Sequence, residues 1–418
     1  MYGGAALMME PIKITVDGKE ISTAKGKTVI QAAAEAGIAI PHYCYHPKLS
    51  IAGNCRMCLV EIEKMPKLQI ACNTQVAEGM TVLTQSPKVL AVRKAVMEFL
   101  LVNHPLDCPI CDQAGECWLQ DYYMQHDRQA SRFEEKKEHE RKREVFGPNV
   151  VFDGERCIKC TRCVRFLQEV THTDELGVIH RGDHSTIALF PGSVLDNPLA
   201  GNVVDICPVG ALTDRDFRFK VRVWYLQKTP SICPGCSTGC NISIEAYQNR
   251  IARFKPRINE QVNSHWICDE GRYSFHGLNA GERVTSPMIR GEGGLVPTTW
   301  DKALAATLSG LRSAAPLAGV MSGRSTNEEA YLFAKLMKRI SPEAELETFY
   351  QERELTDLEK ILMSPDRSPN FRGARDMGLF NGGFAAQLGK FIAGDFSGAY
   401  VVGEDLIAAG EGADGIRN

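Results

Sequence analysis

"HPLDCPICDQAGECWLQ", residues 104–120, places Cys108, Cys111 and Cys117 within ten residues, with His104 four positions ahead of the first. Taken alone, the stretch admits a zinc knuckle, a thiol redox pair or the seat of a larger metal cluster. The choice depends on the other cysteines. All fifteen lie between Cys44 and Cys268, and none follows. The N-terminus "MYGGAALMMEPIK" lacks the basic and apolar regions of a signal peptide. No apolar run approaches the ~20 residues of a membrane helix. A cytosolic chain that reaches a membrane only by docking on a partner is expected. In a reducing compartment such a cysteine density reads as metal ligation, not as a disulfide framework.

A length of 418 residues suggests several domains. The 44% hydrophobic and 24% charged content is that of an ordinary globular protein, and a net charge of −3 argues against nucleic-acid binding.

Outward from the opening stretch, residues 11–85 read as a small α+β unit. "IKITVDGKEIS" predicts a strand, an Asp17-Gly18 turn and a second strand, and "TVIQAAAEAGI" a short helix capped by Thr28 and stopped at Gly37. "CLVEIEKMPKLQIACNTQV" predicts a hairpin and "MTVLTQ" a last strand. "SPKVLAVRKAVMEFLLVNHP" predicts a helix with Ser86 as N-cap and Pro87 in its first turn. Val89, Val92, Val96 and Phe99 would share its apolar face. That helix would end at His104-Pro105, where a histidine often caps the last carbonyls. "RFEEKKEHERKRE", residues 132–144, reads as a solvated helix or linker. After about residue 285 there are helical patterns such as "TNEEAYLFAKLMKRI" and a Gly-rich end. "GFAAQLGKF" (383–391) mimics a P-loop but has one residue too many, and Phe391 stands where Ser or Thr belongs.

The cysteines fall into four groups. Cys44, Cys55, Cys58 and Cys72 combine a glycine-containing loop, a C-x2-C pair and a remote ligand, as plant-type [2Fe–2S] proteins do, although with a longer first gap. Cys157, Cys160 and Cys163 in "RCIKCTRC" form C-x2-C-x2-C, a tight loop suited to three corners of a cubane. The fourth ligand of a two-cluster ferredoxin would fall at Leu167, so Cys207 in "DICPVGAL" is the expected partner. At ferredoxin spacing, Asn197, Ala200 and Val203 stand where a second cluster would need cysteines. The segment therefore reads as a two-cluster ferredoxin that has kept one cluster. Cys233, Cys236 and Cys240 in "CPGCSTGC", with Cys268, suit another [4Fe–4S]. Structural zinc remains open for the first and last sets, since four cysteines do not choose the metal. Twelve cysteines are thereby assigned, leaving Cys108, Cys111 and Cys117. His104 is the nearest fourth ligand, and a [4Fe–4S] cluster on one histidine and three cysteines is expected. Four clusters on one chain are best explained as a conduit for single electrons.

"PHYCYHPKLSIAGNCRMC", "CPICDQAGECWLQ", "RCIKCTRCVRF" and "GNVVDICPVGALTDRDFRFKVRVW" resemble the signatures of the large iron–sulfur subunit (75 kDa or G type) of respiratory complex I, the NADH-quinone oxidoreductase. The resemblance covers roughly residues 10–340. It implies a multidomain α+β chain. A β-grasp [2Fe–2S] ferredoxin domain (10–86) would precede a [4Fe–4S] domain ligated by one histidine and three cysteines (87–130) and a single-cluster ferredoxin-like domain (131–227). A molybdopterin-oxidoreductase-type [4Fe–4S] domain (228–285) and a shortened α/β remnant of the molybdopterin domain (286–418) would follow.

The resemblance also implies one [2Fe–2S] and three [4Fe–4S] clusters on the four sets above, the last being an extra that only some bacterial members carry. Electrons would pass from a flavin- and NADH-binding partner, beside a small [2Fe–2S] subunit, toward quinone-module subunits. The chain would hold no substrate site of its own. It would sit peripherally on the cytoplasmic side of a bacterial inner membrane, touching the membrane only through partners, without nucleic acid. "SPMIRGEGGLVPTTWDKALAA" resembles the opening of the molybdopterin domain, and "GAYVVGEDL" a later strand of it. No molybdopterin is expected, because no cysteine follows Cys268 and "CDEGR" carries Glu270 where related dehydrogenases often place a lysine. The rival is the catalytic or electron-transfer subunit of an NAD-linked formate dehydrogenase or hydrogenase. Those proteins normally keep the second ferredoxin cluster that Asn197, Ala200 and Val203 lack. A zinc-stapled scaffold is the non-enzymatic alternative.

Overall fold

Asp17 and Gly18 both have positive φ, 48° and 81°, the turn whose twist matches two right-twisted strands. They join β1 (Pro11–Val16) to β2 (Lys19–Ala24) in antiparallel register, Pro11 opposite Ala24 and Val16 opposite Lys19. The computed structural model describes residues 11–281, 283–380, 389–390 and 393–404, and divides into two units, 1–227 and 228–418.

In the first unit α1 (Val29–Glu35) starts at Thr28, whose N–H donates to Gln31 Oε1 at 2.9 Å, and Gly37 at φ 75° turns the chain away. β3 (Leu59–Ile62) and β4 (Gln69–Ile70) form the expected hairpin, and β5 (Thr81–Leu83) lies between β1 and β3, parallel to the first and antiparallel to the second. The resulting order is β2-β1-β5-β3-β4. Ile14, Val16, Val29, Ala33, Val60 and Val82 fill the core between this sheet and α1.

α2 (Pro87–Leu101) begins as the sequence indicates, with Ser86 Oγ accepting from Val89 N–H at 3.4 Å. Its buried face differs from the apolar stripe. Val89, Arg93 and Met97, spaced four apart, are buried, whereas Phe99 is 79% exposed. Packing against β3 and α3 (Trp118–His126) chooses the inner face, and it takes in an arginine. The helix also stops at Leu101, short of His104. The carbonyls at its end, on Leu101 and Val102, accept from Lys137 Nζ at 2.8 and 2.6 Å.

That lysine belongs to the charged run 132–144, which forms no helix and runs as a largely exposed linker, the second of the two readings of its sequence. It is an irregular strap held by ion pairs. Arg132 meets Glu98 at 2.6 Å, Lys142 meets both Asp107 and Glu155 at 2.7 Å, and Glu140 meets Lys159 at 2.9 Å. Several of these side chains find partners across the chain, while Arg132 and Arg141 stay largely exposed.

Beyond the strap come β6 (Glu144–Val145), β7 (Val150–Phe152) and α4 (Arg162–Phe166), which runs on into a wider turn over Leu167–Thr171. A β8–β9 hairpin (Leu176–Ile179, Thr186–Leu189), α5 (Asn202–Ile206) and β10 (Leu212–Asp214) complete the unit, with β10-β7-β6 as a small sheet. Leu167, Ala200 and Val203 are fully buried, and buried Asn197 donates from Nδ2 to Glu175 Oε1 at 2.8 Å. Well-packed side chains thus occupy the positions that a second ferredoxin cluster would use.

The second unit carries the antiparallel sheet β11-β12-β13 (Gln227–Ile232, Asn241–Tyr247, Arg250–Pro256), short helices α6 (Asp269–Tyr273) and α7 (Phe275–Asn279), and a β14–β15 hairpin (Met288–Gly291, Gly294–Pro297). Then α8 (Trp300–Ser313), β16 (Leu317–Ser322), α9 (Asn327–Ile340), β17 (Glu345–Phe349), α10 (Phe371–Asp376) and β18 (Gly398–Val402) build a parallel sheet in the order β17-β16-β18. β16 is buried at every position, as a central parallel strand should be. α9 packs Ala330, Phe333 and Met337 on the sheet, and Thr326 and Glu329 form its capping box. Residues 1–10, most of the P-loop mimic and Asp405-Leu406 lie outside the described residues.

Candidate metal centres

The β3–β4 register, Leu59 opposite Ile70, brings Cys58 at the head of one strand beside Cys72 just past the other. Cys44 and Cys55 meet on the facing loop, where Cys44 N–H points at Cys55 Sγ at 3.5 Å. The thiols pair two and two, Cys44 with Cys55 and Cys58 with Cys72. Hydrogen bonding within each pair, with burial, pushes Cys55 and Cys58 upward. Gly53 and Arg56, both at positive φ, let the loop curl around this spot.

His104, Cys108, Cys111 and Cys117 line one cavity of about 940 Å³. Cys108 opens a 3-10 turn, Cys111 closes it, and Cys117 sits at the N-cap of α3. His104 caps nothing here, since Lys137 holds the helix carbonyls. Burial and the nearby charges of Arg156 and Lys137 lower its imidazole to about 4, which keeps it neutral with a lone pair free for a metal. The cradle is tight on the far side. A Cβ on Gly210 would lie 2.2 Å from Cys111 Sγ, and Arg222 Nη1 fixes Cys111 O at 2.7 Å.

Cys157, Cys160 and Cys163 lie on the loop between β7 and α4 and on the first turn of that helix, and Cys207 ends α5. Lys159 and Thr161, at φ 54° and 60°, tighten that loop between the cysteines. Burial raises Cys207 to about 12, with Cys160 next among the causes, and Cys163 is raised by burial and by the other three sulfurs of its set. The third set therefore gathers at one place.

In the second unit Cys233, Cys236, Cys240 and Cys268 are all buried and line one cavity of about 110 Å³ with Gly235, Gly271 and Arg367. Cys233 N–H donates to Cys240 O at 2.8 Å, and Cys268 Sγ accepts from Gly271 N–H at 3.3 Å, capping α6. Burial first, then the neighbouring sulfurs, raises Cys240 to about 12. Glu270, also on the cavity wall, is paired with Arg367 and with Arg353 at 3.3 Å.

Among the described residues no three His, Cys, Asp or Glu side chains form a group suited to one metal ion. Independently of that, thiol-rich sets of this kind have the donor chemistry for iron–sulfur clusters.

The arginines inside "CTRCVRF" give no signal of their own when only cysteine spacing is read. Arg165 Nη2 donates at once to Cys44 O at 2.6 Å and Cys160 O at 3.2 Å, tying the first set to the third. Arg162 donates to Ile206 O at 3.1 Å and to Tyr45 O, and its guanidinium stacks 4.6 Å over Trp118, next to Cys117. Their charge is the clue that spacing leaves out, since basic residues woven into a cysteine motif offset thiolate charge.

Comparison with known proteins matches these segments to domain families. Residues 9–87 match the 2Fe-2S iron-sulfur cluster binding domain and 93–132 the NADH-ubiquinone oxidoreductase-G iron-sulfur binding region. Residues 147–213 match the ferredoxin-like domain of NADH-quinone oxidoreductase subunit 3. Residues 226–279 match the molybdopterin oxidoreductase Fe4S4 domain and 283–367 the molybdopterin oxidoreductase family. The G-type subunit of NADH-quinone oxidoreductase from Rickettsia bellii is 46% identical over 309 residues, 73% of this chain and 44% of that protein. The NADH-ubiquinone oxidoreductase 75 kDa subunit of Reclinomonas americana is 42% identical over 367 residues, 86% and 53% respectively. The chain belongs to this G-type, or 75 kDa, family. It spans about half the length of these relatives. A chain of the NAD+-reducing [NiFe]-hydrogenase in its H2-reduced state is also similar, at 31% identity and TM-score 0.45 over 51% of this chain and 91% of that one. The multidomain α+β expectation stands, with the domains in the expected order from the ferredoxin at the N-terminal end to the molybdopterin-type fold.

Proposed function

We propose that the chain is an electron-transfer subunit of an NADH-quinone oxidoreductase, passing single electrons from a flavin-containing, NADH-oxidising partner toward quinone-reducing subunits. Cys44, Cys55, Cys58 and Cys72 would hold a [2Fe–2S] cluster. His104, Cys108, Cys111 and Cys117 would hold a [4Fe–4S] cluster, as would Cys157, Cys160, Cys163 and Cys207. Cys233, Cys236, Cys240 and Cys268 would hold a third [4Fe–4S]. Bound clusters supply one-electron redox centres. The observation that carries the reading is the linkage of three sets inside residues 1–227 through Arg165 and Arg162.

The rest is the work of the chain's own groups. The two-and-two pairing of Cys44/Cys55 and Cys58/Cys72 suits a binuclear centre, in which each iron takes two thiolates. A neutral His104 supplies one ligand without adding negative charge. Buried Arg156, Arg162 and Arg165 offset the charge that the thiolates bring. The packed place of the missing cluster, at Leu167, Asn197, Ala200 and Val203, keeps water away from the third set. Among the described residues no helix is long and apolar enough to cross a membrane. The proposed role would place the chain peripherally on the cytoplasmic side, meeting the membrane through partners. With Glu270 already paired by two arginines, the fourth cavity is read as a site without molybdopterin.

Iron, acid-labile sulfide and EPR of the dithionite-reduced chain test the proposal. One binuclear and three cubane signals are expected. Stoichiometric zinc with little sulfide would sink it.

A further inference from the structure

Arg93 is among the largest fully buried side chains of the protein, and none of its three guanidinium nitrogens has a hydrogen-bond partner. It lies between Val89 and Met97 on the inner face of α2, which packs on β3, the strand that begins one residue after Cys58. On the same face Met97 Sδ accepts from the hydroxyl of Tyr43, the neighbour of Cys44, at 3.3 Å. Tyr43 in turn meets Tyr122 edge-on at 5.1 Å. Arg93 thus shares with Met97 the helix face that packs on the strand following Cys58, and Met97 links that face to the Tyr43 ring.

This is an expensive arrangement. An arginine stays protonated, and burying a cation without a counter-charge or hydrogen bonds destabilises a fold more than an apolar side chain of the same shape would. Burial disfavours the cation, while the field of Asp17, Cys58 and Tyr122 favours it. The Asp17 carboxylate is already engaged by the backbone N–H of Thr84 at 2.6 Å. Of the groups whose field favours the cation, Cys58 is the one that belongs to the binuclear set. A binuclear cluster on four thiolates is net negative and becomes more so on reduction.

We propose that Arg93 is a positioning residue for the electron: its bare guanidinium, buried on the helix face that packs against the strand following Cys58, raises the reduction potential of the binuclear centre. The inference rests on Cys44, Cys55, Cys58 and Cys72 holding a [2Fe–2S] cluster, as read above. Arg165 serves the set differently, because its donors are taken up by Cys44 O, Cys160 O and Ser50 O. The structure therefore gives one arginine the work of joining loops and leaves the other free to act through its charge.

The test compares the wild-type chain, loaded with its iron–sulfur centres, with Arg93→Met, Arg93→Gln and Arg93→Lys. In an EPR-monitored redox titration, Met and Gln should lower the reduced-to-oxidised ratio of the binuclear signal about tenfold at fixed ambient potential, some 59 mV for one electron. Lys should restore most of the loss, and the cubane midpoints should stay in place. The metal-free Arg93→Met chain should melt no lower than wild type, a result that a merely structural arginine would not give. A binuclear midpoint unmoved in Arg93→Met, or all midpoints moving together, overturns the inference. So does loss of the binuclear signal in both Met and Gln variants, which would make the side chain a folding element. A wild-type chain with no binuclear signal overturns the assignment of the four cysteines as well.

Discussion

Gly210 offers the sharpest perturbation of the His104 set, because a single methyl group placed there strikes a candidate ligand. A Cβ at Gly210 would lie 2.2 Å from Cys111 Sγ, 3.1 Å from Gln113 Cβ and 3.7 Å from Arg156 Cδ. Carbon and sulfur rest comfortably at roughly 3.5–4 Å, so the sulfur or the backbone must retreat by on the order of 1.3 Å. The backbone gives no other reason for glycine, since Gly210 is outside the left-handed region. The sulfur cannot retreat freely either. Arg222 holds Cys111 O at 2.7 Å, and Asp107 holds Arg156 at 2.8 Å behind it.

Metal–ligand distances tolerate about 0.2 Å, several times less than the displacement required. Gly210→Ala should therefore lose the iron of one cubane, with the other signals retained. Overpacking of this kind should cost roughly 1–3 kcal/mol in thermal or denaturant unfolding. Gly235→Ala is the internal control, because its Cβ would stand an ordinary 3.4 Å from Cys233 Sγ. Iron analysis, EPR of the reduced chain and melting would be read on both variants. A Gly210→Ala protein with full iron, an unchanged spectrum and wild-type melting refutes the reasoning.

Two further expectations bear on the candidate ligands. His104→Cys should keep a cubane but change its potential or spin state, while His104→Ala should weaken loading; Lys137→Met should instead cost about 1 kcal/mol through the freed α2 carbonyls and leave that spectrum alone. If both His104 variants keep the native EPR signals, His104 is no ligand. Cys268→Ser should lower stability or complex assembly more than electron flow in whatever assembles, because the fourth set closes the loop 233–240 on α6. The same protein should bind no molybdenum; about one equivalent of molybdenum or tungsten, or formate-dependent dye reduction, would reverse that reading.

Local chemistry is legible from the sequence, and long-range charge is not. Asp17-Gly18, Thr28 and Ser86-Pro87 signal their turn and caps through their own residues, so the elements they start are readable without knowing what packs on them. The candidate cysteine sets can be named for the same reason: three members of most lie in one short loop, and counting proposes the fourth. Phe99 and Arg93 show where such reading fails. Periodicity puts the phenylalanine inside, but a helix buries whichever stripe its neighbours cover, and here that stripe holds a cation beside thiols. The run 132–144 is the exposed linker its composition suggests, but its ion pairs to Glu98, Asp107 and Glu155 cannot be read from it. The misread face of α2 packs on the strand that follows Cys58. Thiolate sets concentrate negative charge in a low dielectric, where an opposite charge acts most strongly, so cations are drawn into positions that hydrophobic patterning would give to apolar residues. In a chain of this kind an arginine or lysine on an apolar stripe near a cysteine motif is itself a sign of where the clusters lie.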